Sequence, residues 1–150
     1  MQIAEINIGR LLAPTDDPRV ADFMNNLDRI NGLGKRMPGF VWMMEGSGEP
    51  GTGNTDAKIA GDPQFVANLT VWETPTALKT FVFDTLHAKF MARKGEWFEV
   101  LDQQHFVMWW VEDGHQPTLE EGLAKIAQVS KKGDSEAAFG WDYMNAHYLA

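Results

Sequence analysis

The sequence predicts an α+β fold of the split β-α-β, ferredoxin-like kind, built on a four-stranded antiparallel sheet. Two observations lead there. Apolar residues recur at strand spacing in stretches beginning at Ile3, Phe40, Phe65 and His105, and at helical spacing after the first and third of them. The order is therefore β-α-β, an irregular segment, β-α-β and one further helix. A third observation bears on assembly: the last strand, His105 to Val111, is apolar on both faces after His105. Such a strand is covered twice, and with the helices on one side the simplest cover for the other is a second copy of the same sheet.

The first strand runs from Ile3 to about Leu12, is rich in β-branched residues and carries one odd residue, Asn7. Asp17 before Pro18 has the order of a helix cap and first-turn proline, and Val20, Phe23, Met24, Leu27 and Ile30 follow at helical spacing to a stop near Asn31-Gly32. The turn Met37-Pro38-Gly39 leads to a second strand, Phe40 to Glu45, and then to an irregular, glycine-rich loop over about 46–63. That loop has no following Lys-Ser/Thr and opens no helix, so a linker or lid is expected rather than a phosphate cradle. The third strand, Phe65 to Trp72, sets Val66, Asn68, Thr70 and Trp72 on one face and an apolar row on the other. Thr74-Pro75 starts a second helix through Leu78, Phe81 and Val82, whose apolar phase slips near Asp84-Thr85 and predicts a break before a helical piece holding His87. Thr118 to Glu121 reads as a capping box for a helix with Leu119, Leu123, Ile126 and Val129 facing in. The tail, about 131–150, has aromatics without periodicity and is expected to dock on the body or across a dimer. All 150 residues are expected to form one domain.

Composition narrows the function classes. The chain has 13 Lys+Arg against 21 Asp+Glu, which disfavours nucleic acid and anionic membrane surfaces. There is no cysteine, no basic leader and no apolar run of membrane-spanning length, so a cytoplasmic protein is expected. Six Trp, nine Phe and eight Met could line a small-molecule pocket as well as fill a core.

Sequence blocks along the chain resemble a bacterial family of unknown function in the dimeric α/β-barrel superfamily. They include Ile6-Asn7-Ile8-Gly9-Arg10-Leu11-Leu12-Ala13-Pro14, Met37-Pro38-Gly39-Phe40-Val41-Trp42 and Asn68-Leu69-Thr70-Val71-Trp72-Glu73. His87 with Glu96-Trp97-Phe98, and Trp109-Trp110-Val111 with Gly114-His115-Gln116-Pro117-Thr118, extend the likeness to about Phe139. The resemblance implies two ferredoxin-like sheets paired into a barrel, a homodimer, with a small pocket between each sheet and its helices. It also implies kinship with antibiotic-biosynthesis monooxygenase-like proteins, cofactor-free oxygenases among them, and with lyases, cyclases and haem enzymes. A histidine that ends the second helix in such relatives, followed by an aromatic, is similar to His87-Ala88-Lys89-Phe90, with the aromatic displaced.

The expected site takes His87 as base and Asn7 or Asn68 as donor to a developing oxyanion, with Trp72, Trp97, Phe90 and Trp110 as substrate-facing aromatics and Arg93 as a hold for a carboxylate. The leading expectation is a cofactor-independent monooxygenase acting on an aromatic or polyketide-like molecule. An isomerase, cyclase or lyase in the same pocket, and a non-catalytic binding or stress-response module, are the alternatives. No metal is expected, since no two of His87, His105, His115 and His147 are at ligand spacing. Haem with His87 as an axial ligand is the minority alternative to no cofactor. Ser47, Ser130 and Ser135 lack any nucleophile elbow.

Overall fold

A computed structural model describes residues 1–44, 64–100 and 105–149; the expected loop over about 46–63 lies outside them. The elements are β1 (Gln2–Arg10), α1 (Ala21–Arg36), β2 (Phe40–Met43), β3 (Phe65–Trp72), α2 (Pro75–Asp84), α3 (Leu86–Ala92), β4 (Phe106–Val111), α4 (Leu119–Lys132) and α5 (Trp141–Tyr148). The strands form one sheet in the order β2-β3-β1-β4, antiparallel throughout, which is the ferredoxin-like arrangement.

Local chemistry fixes several boundaries. Asp17 accepts the Arg19 N–H at 2.8 Å and caps a 3-10 turn, Pro18–Val20, that leads into α1. The helix runs on to Arg36, past the expected stop at Asn31-Gly32. One of its glycines serves packing: a Cβ on Gly34 would lie 3.3 Å from the Phe81 ring, so the bare backbone lets α1 approach α2. The break between α2 and α3 falls where the apolar phase slips. Thr85 donates its hydroxyl to the Phe81 carbonyl at 2.6 Å and accepts the His87 N–H at 3.2 Å, closing one helix and capping the next.

The sheet has two apolar faces. Ile3, Trp72 and Met108 belong to the inner face, under Ile30 and Leu33 of α1, Leu78, Phe81 and Val82 of α2, Met91 of α3 and Met144 of α5. Ala4, Ile6, Ile8, Leu69, Val71, Val107 and Trp109 belong to the outer face.

The outer face departs from expectation, because the same chain covers it. Ile126 and Val129 of α4 pack on it, and Gly122 sits against Ile6, so the apolarity of β4 on both sides is accounted for within one chain. Only half of the expected capping box forms. Thr118 accepts the Glu121 N–H at 3.1 Å, while the Glu121 carboxylate takes the Trp109 indole N–H at 2.9 Å and lies 2.7 Å from His115 Nε2. A buried indole left without an acceptor costs more than an unfilled cap, which decides the competition. A Cβ at Gly122 would stand 2.5 Å from Ile6 Cδ1, so Gly122→Val is expected to cost about 1–3 kcal/mol by overpacking. Urea unfolding measures it. A value within about 0.5 kcal/mol of zero would mean that α4 does not lie on this face.

The tail is ordered too. Phe139 exchanges backbone hydrogen bonds with Met108 at 2.7 and 2.9 Å, extending the β4 edge, and α5 then tucks Met144 into the inner layer. The aromatics of this segment stack in pairs, Phe106 on Trp141 and Phe139 on Tyr143, rather than along one helical stripe. That pairing removes the periodic signal a sequence reading relies on.

Candidate functional site: a polar window in the inner face

Two inner-face rows, those of β1 and β3, are apolar at their ends and polar in the middle. Along β1 the row is Ile3, Glu5, Asn7 and Gly9; along β3 it is Trp72, Thr70, Asn68 and Val66. The register sets Glu5 opposite Thr70 and Asn7 opposite Asn68, so four polar side chains occupy two adjacent cross-strand pairs. Exposure follows the same geometry. Ile3, Glu5, Thr70 and Trp72 are buried, Asn7 is exposed and Asn68 half-buried, and beyond them Phe98 lies so close over Gly9 that a Cβ there would be 2.7 Å from its ring. The layer above the sheet is thus open over Asn7 and Asn68. Neither amide side chain has a hydrogen-bond partner among the described residues. Phe106, opposite Asn7 on β4 and stacked on Trp141 at 5.4 Å, stands beside the opening.

Beneath the amides lies the feature that the sequence reading missed. Glu5, 5% exposed, accepts the Thr70 hydroxyl at 2.7 Å, and Thr70 in turn accepts the Trp72 indole N–H at 2.9 Å. Burial raises its carboxyl from 4.5 to about 8, against the smaller lowering effect of the Thr70 hydrogen bond, so Glu5 is a neutral acid at pH 7. The sequence offered only its position, a carboxylate two residues before Asn7 and on the same face of the strand.

His87 opens α3, half-buried, with its ring 4.9 Å from that of Phe81, which stacks on Trp72 at 5.2 Å. Its Nδ1 is 3.1 Å from the Val82 carbonyl. A carbonyl only accepts, so Nδ1 carries the hydrogen and Nε2 keeps the lone pair. Burial lowers the pKa of the imidazole, with the Val82 hydrogen bond opposing, and the ring is neutral at pH 7. The helix layer thus holds an uncharged base and the sheet beneath it an uncharged acid, their pKa values pushed in opposite directions.

The remaining expected residues fall elsewhere. Trp97 is buried with Leu11, Val20 and Val66 at the Gly9 end, where Phe90 stacks on it at 5.8 Å and the Arg93 guanidinium lies 4.7 Å over its ring. Arg93 is committed to Asp22 at 3.0 Å and Glu96 at 2.8 Å, so it is no open seat for a carboxylate. Trp110 pairs with Ile3 at the opposite end of the face and packs edge-on against Tyr148. Trp72 is fully buried and reaches the site through Thr70. Among the described residues, no group of three His, Asp or Glu side chains could hold a metal ion, and no helix is long and apolar enough to cross a membrane.

A family model described as a domain of unknown function (DUF3291) matches residues 2–148. No curated protein matches the chain. Among solved structures, a variant of SnoaB, a cofactor-independent oxygenase from Streptomyces nogalater, is similar in fold at 12% identity and a TM-score of 0.51, covering 80% of this chain and 98% of that one. A conserved protein from Methanosarcina mazei Go1 is similar at 11% identity and a TM-score of 0.51, covering 73% of this chain and 91% of its own. NE2512, a protein of unknown function from Nitrosomonas europaea, gives 9% identity and a TM-score of 0.51, with 78% and 95% covered. At such identities the likeness is one of fold.

Proposed function

The chain belongs to the DUF3291 family, and from that premise we propose that it is a small-molecule enzyme, a cofactor-independent monooxygenase of an aromatic ring ketone or related polyketide-like substrate. The observation that carries the reading is the window: two amides facing each other across β1 and β3 with no partner among the described residues, exposed and half-buried beside the buried Glu5 and Thr70. The fold likeness to a cofactor-independent oxygenase agrees with it.

The substrate carbonyl oxygen sits between Asn7 and Asn68, and His87 Nε2 removes a proton from a carbon conjugated with that carbonyl. The electron pair of the broken C–H bond moves onto the oxygen, where the amide N–H groups stabilise the charge. The enolate carbon then forms a bond to dioxygen. The resulting peroxide takes up a proton, and its O–O bond breaks with loss of the second hydrogen from carbon. In sum, a CH2 group and O2 become C=O and H2O. Nothing in this sequence requires an electron donor besides the substrate. Every residue named belongs to one chain, and a homodimer, which the reading retains, would not need to complete the window.

Oxygen consumption with anthrone, a ring ketone with an acidic methylene, tests the reading. The expected result is one O2 consumed per anthraquinone formed, undiminished after dialysis against a chelator. Anthrone bound without oxygen uptake would overturn the oxygenase assignment in favour of non-redox acid-base chemistry, and no binding would remove the window as a site.

A further inference from the structure

Glu5 has no role in the scheme above, yet it is the one acidic group buried in the inner layer among the described residues. Its hydrogen bonding is fixed in direction. The Trp72 indole N–H can only donate, so Thr70 Oγ1 accepts from it and turns its own hydrogen to Glu5 Oε1. An acid hydrogen on Glu5 must therefore sit on Oε2, the oxygen that has no partner among the described residues. A buried carboxylic acid with one oxygen anchored and the other unpaired is costly to keep unless something else accepts that hydrogen. The apolar side chains packed around it carry no acceptor. Ile3 and Met108 flank it on the sheet, and the helices supply Ile30, Leu33, Leu78, Phe81, Val82, Met91 and Met144. The opening is on the remaining side, over Asn7 and Asn68, two strand residues or about 7 Å along the row.

We propose that Glu5, as a neutral carboxylic acid, donates its Oε2 hydrogen to the substrate oxygen seated at Asn7 and Asn68 and protonates that oxygen as charge builds there. This rests on the window being the substrate site. The step breaks the Glu5 O–H bond and forms an O–H bond on the substrate, leaving a buried carboxylate that Thr70 continues to hold. Glu5 takes that hydrogen back as the carbonyl re-forms, when the enol carbon bonds to dioxygen. With His87 taking a proton from carbon and Glu5 giving one to oxygen, the pair makes an enol without placing net charge in the layer. The ligand class follows: a molecule whose anchoring group is an uncharged acceptor, a ring ketone, and not a carboxylate, since the polar side chains described there, Glu5, Asn7, Asn68 and Thr70, include no cation to meet one.

The elements packed over this layer carry Asp22, Asp28, Arg29, Lys35 and Arg36 on α1, Lys79 and Asp84 on α2, His87 and Lys89 on α3, and Asp142, Tyr143, His147 and Tyr148 on α5, and none of them contributes to the shift of Glu5, whose causes are burial and Thr70 alone. The test uses α-tetralone, a ring ketone that does not itself titrate, with affinity read from tryptophan fluorescence and the bound carbonyl stretch from infrared difference spectra. In the wild type, affinity is expected to fall at least about tenfold from about pH 6.5 to about pH 9, as the donor is lost, and the carbonyl stretch to move to lower frequency only at the lower pH. Glu5→Gln should show no such pH dependence, and Asn68→Ala should bind weakly at every pH. If Asn68→Ala weakens binding while wild type and Glu5→Gln share one pH profile, the role of Glu5 is overturned and the window survives. If Asn68→Ala binds like the wild type, or no form binds, both fall. Should Glu5→Gln not fold, the pH dependence of the carbonyl stretch in the wild type decides alone.

Discussion

His87→Ala is expected to lower kcat for anthrone oxidation about 10²–10⁴-fold, the usual worth of a positioned general base. The stability cost should be small by comparison. The imidazole is half-buried, and its loss removes one hydrogen bond to the Val82 carbonyl, about 1 kcal/mol, and a ring contact with Phe81. Alanine is the better helix former at the start of α3, which offsets part of that. A rate that falls only in proportion to the folded fraction would make His87 a packing residue and remove the base from the mechanism. Added imidazole should restore part of the activity of the variant if His87 acts as the base, whereas a purely structural defect would not respond. The pH profile carries the same information. A base must be neutral to act, and burial holds the folded pKa of His87 below 6.5. Activity limited by this group should therefore persist below the ordinary histidine range and disappear only as pH falls through the lowered value.

The parts of this arrangement that were legible in the sequence are those governed by local periodicity. The span of β3 and its two-faced character, the break at Thr85 and the caps at Asp17, Thr74 and Thr118 all depend on residues within a few positions of one another. Asn7 and Asn68 could be named as polar residues on strands, while the register that sets them opposite each other came only with the structure. What was not legible depends on contacts distant along the chain. Whether α4 or a second sheet covers β4 is decided by a glycine, Gly122, fitting against Ile6. Whether Arg93 is free is decided by Asp22, on a different helix. The segment from His87 to Trp97 looks continuous in sequence, yet its two ends join different aromatic clusters, His87 with Phe81 and Trp97 with Phe23 and Phe90. Glu5 escaped notice for a related reason. One carboxylate in a strand is ordinarily a solvent-facing residue, and only the layer packed above it makes it a buried acid.

That burial has a consequence for the fold which is separate from any ligand. The carboxyl of Glu5 titrates at 4.5 in an unfolded chain and at about 8 in the folded one. Below 4.5 both states hold the proton and the shift contributes nothing against folding. Between the two values the folded state retains a proton that the unfolded state has released, so stability falls as pH rises, by up to about 1.4 kcal/mol per pH unit, and the loss is complete above about 8. His87 works in the other sense. Its folded pKa is lowered, so just below 6.5 the unfolded chain binds more protons and stability there rises with pH. The two slopes oppose each other in acid, and of these two only that of Glu5 remains from about 6.5 to about 8. Glu5→Gln keeps a carbonyl for the Thr70 hydroxyl to reach and cannot ionise. In urea unfolding from about pH 5 to about pH 9, its stability relative to the wild type should climb steadily with pH and level off above about 8. A difference that stays flat across that range would mean that Glu5 is ionised and solvated in the folded protein. The inner layer would then be open to water over its whole length, and the acid would have no proton to give.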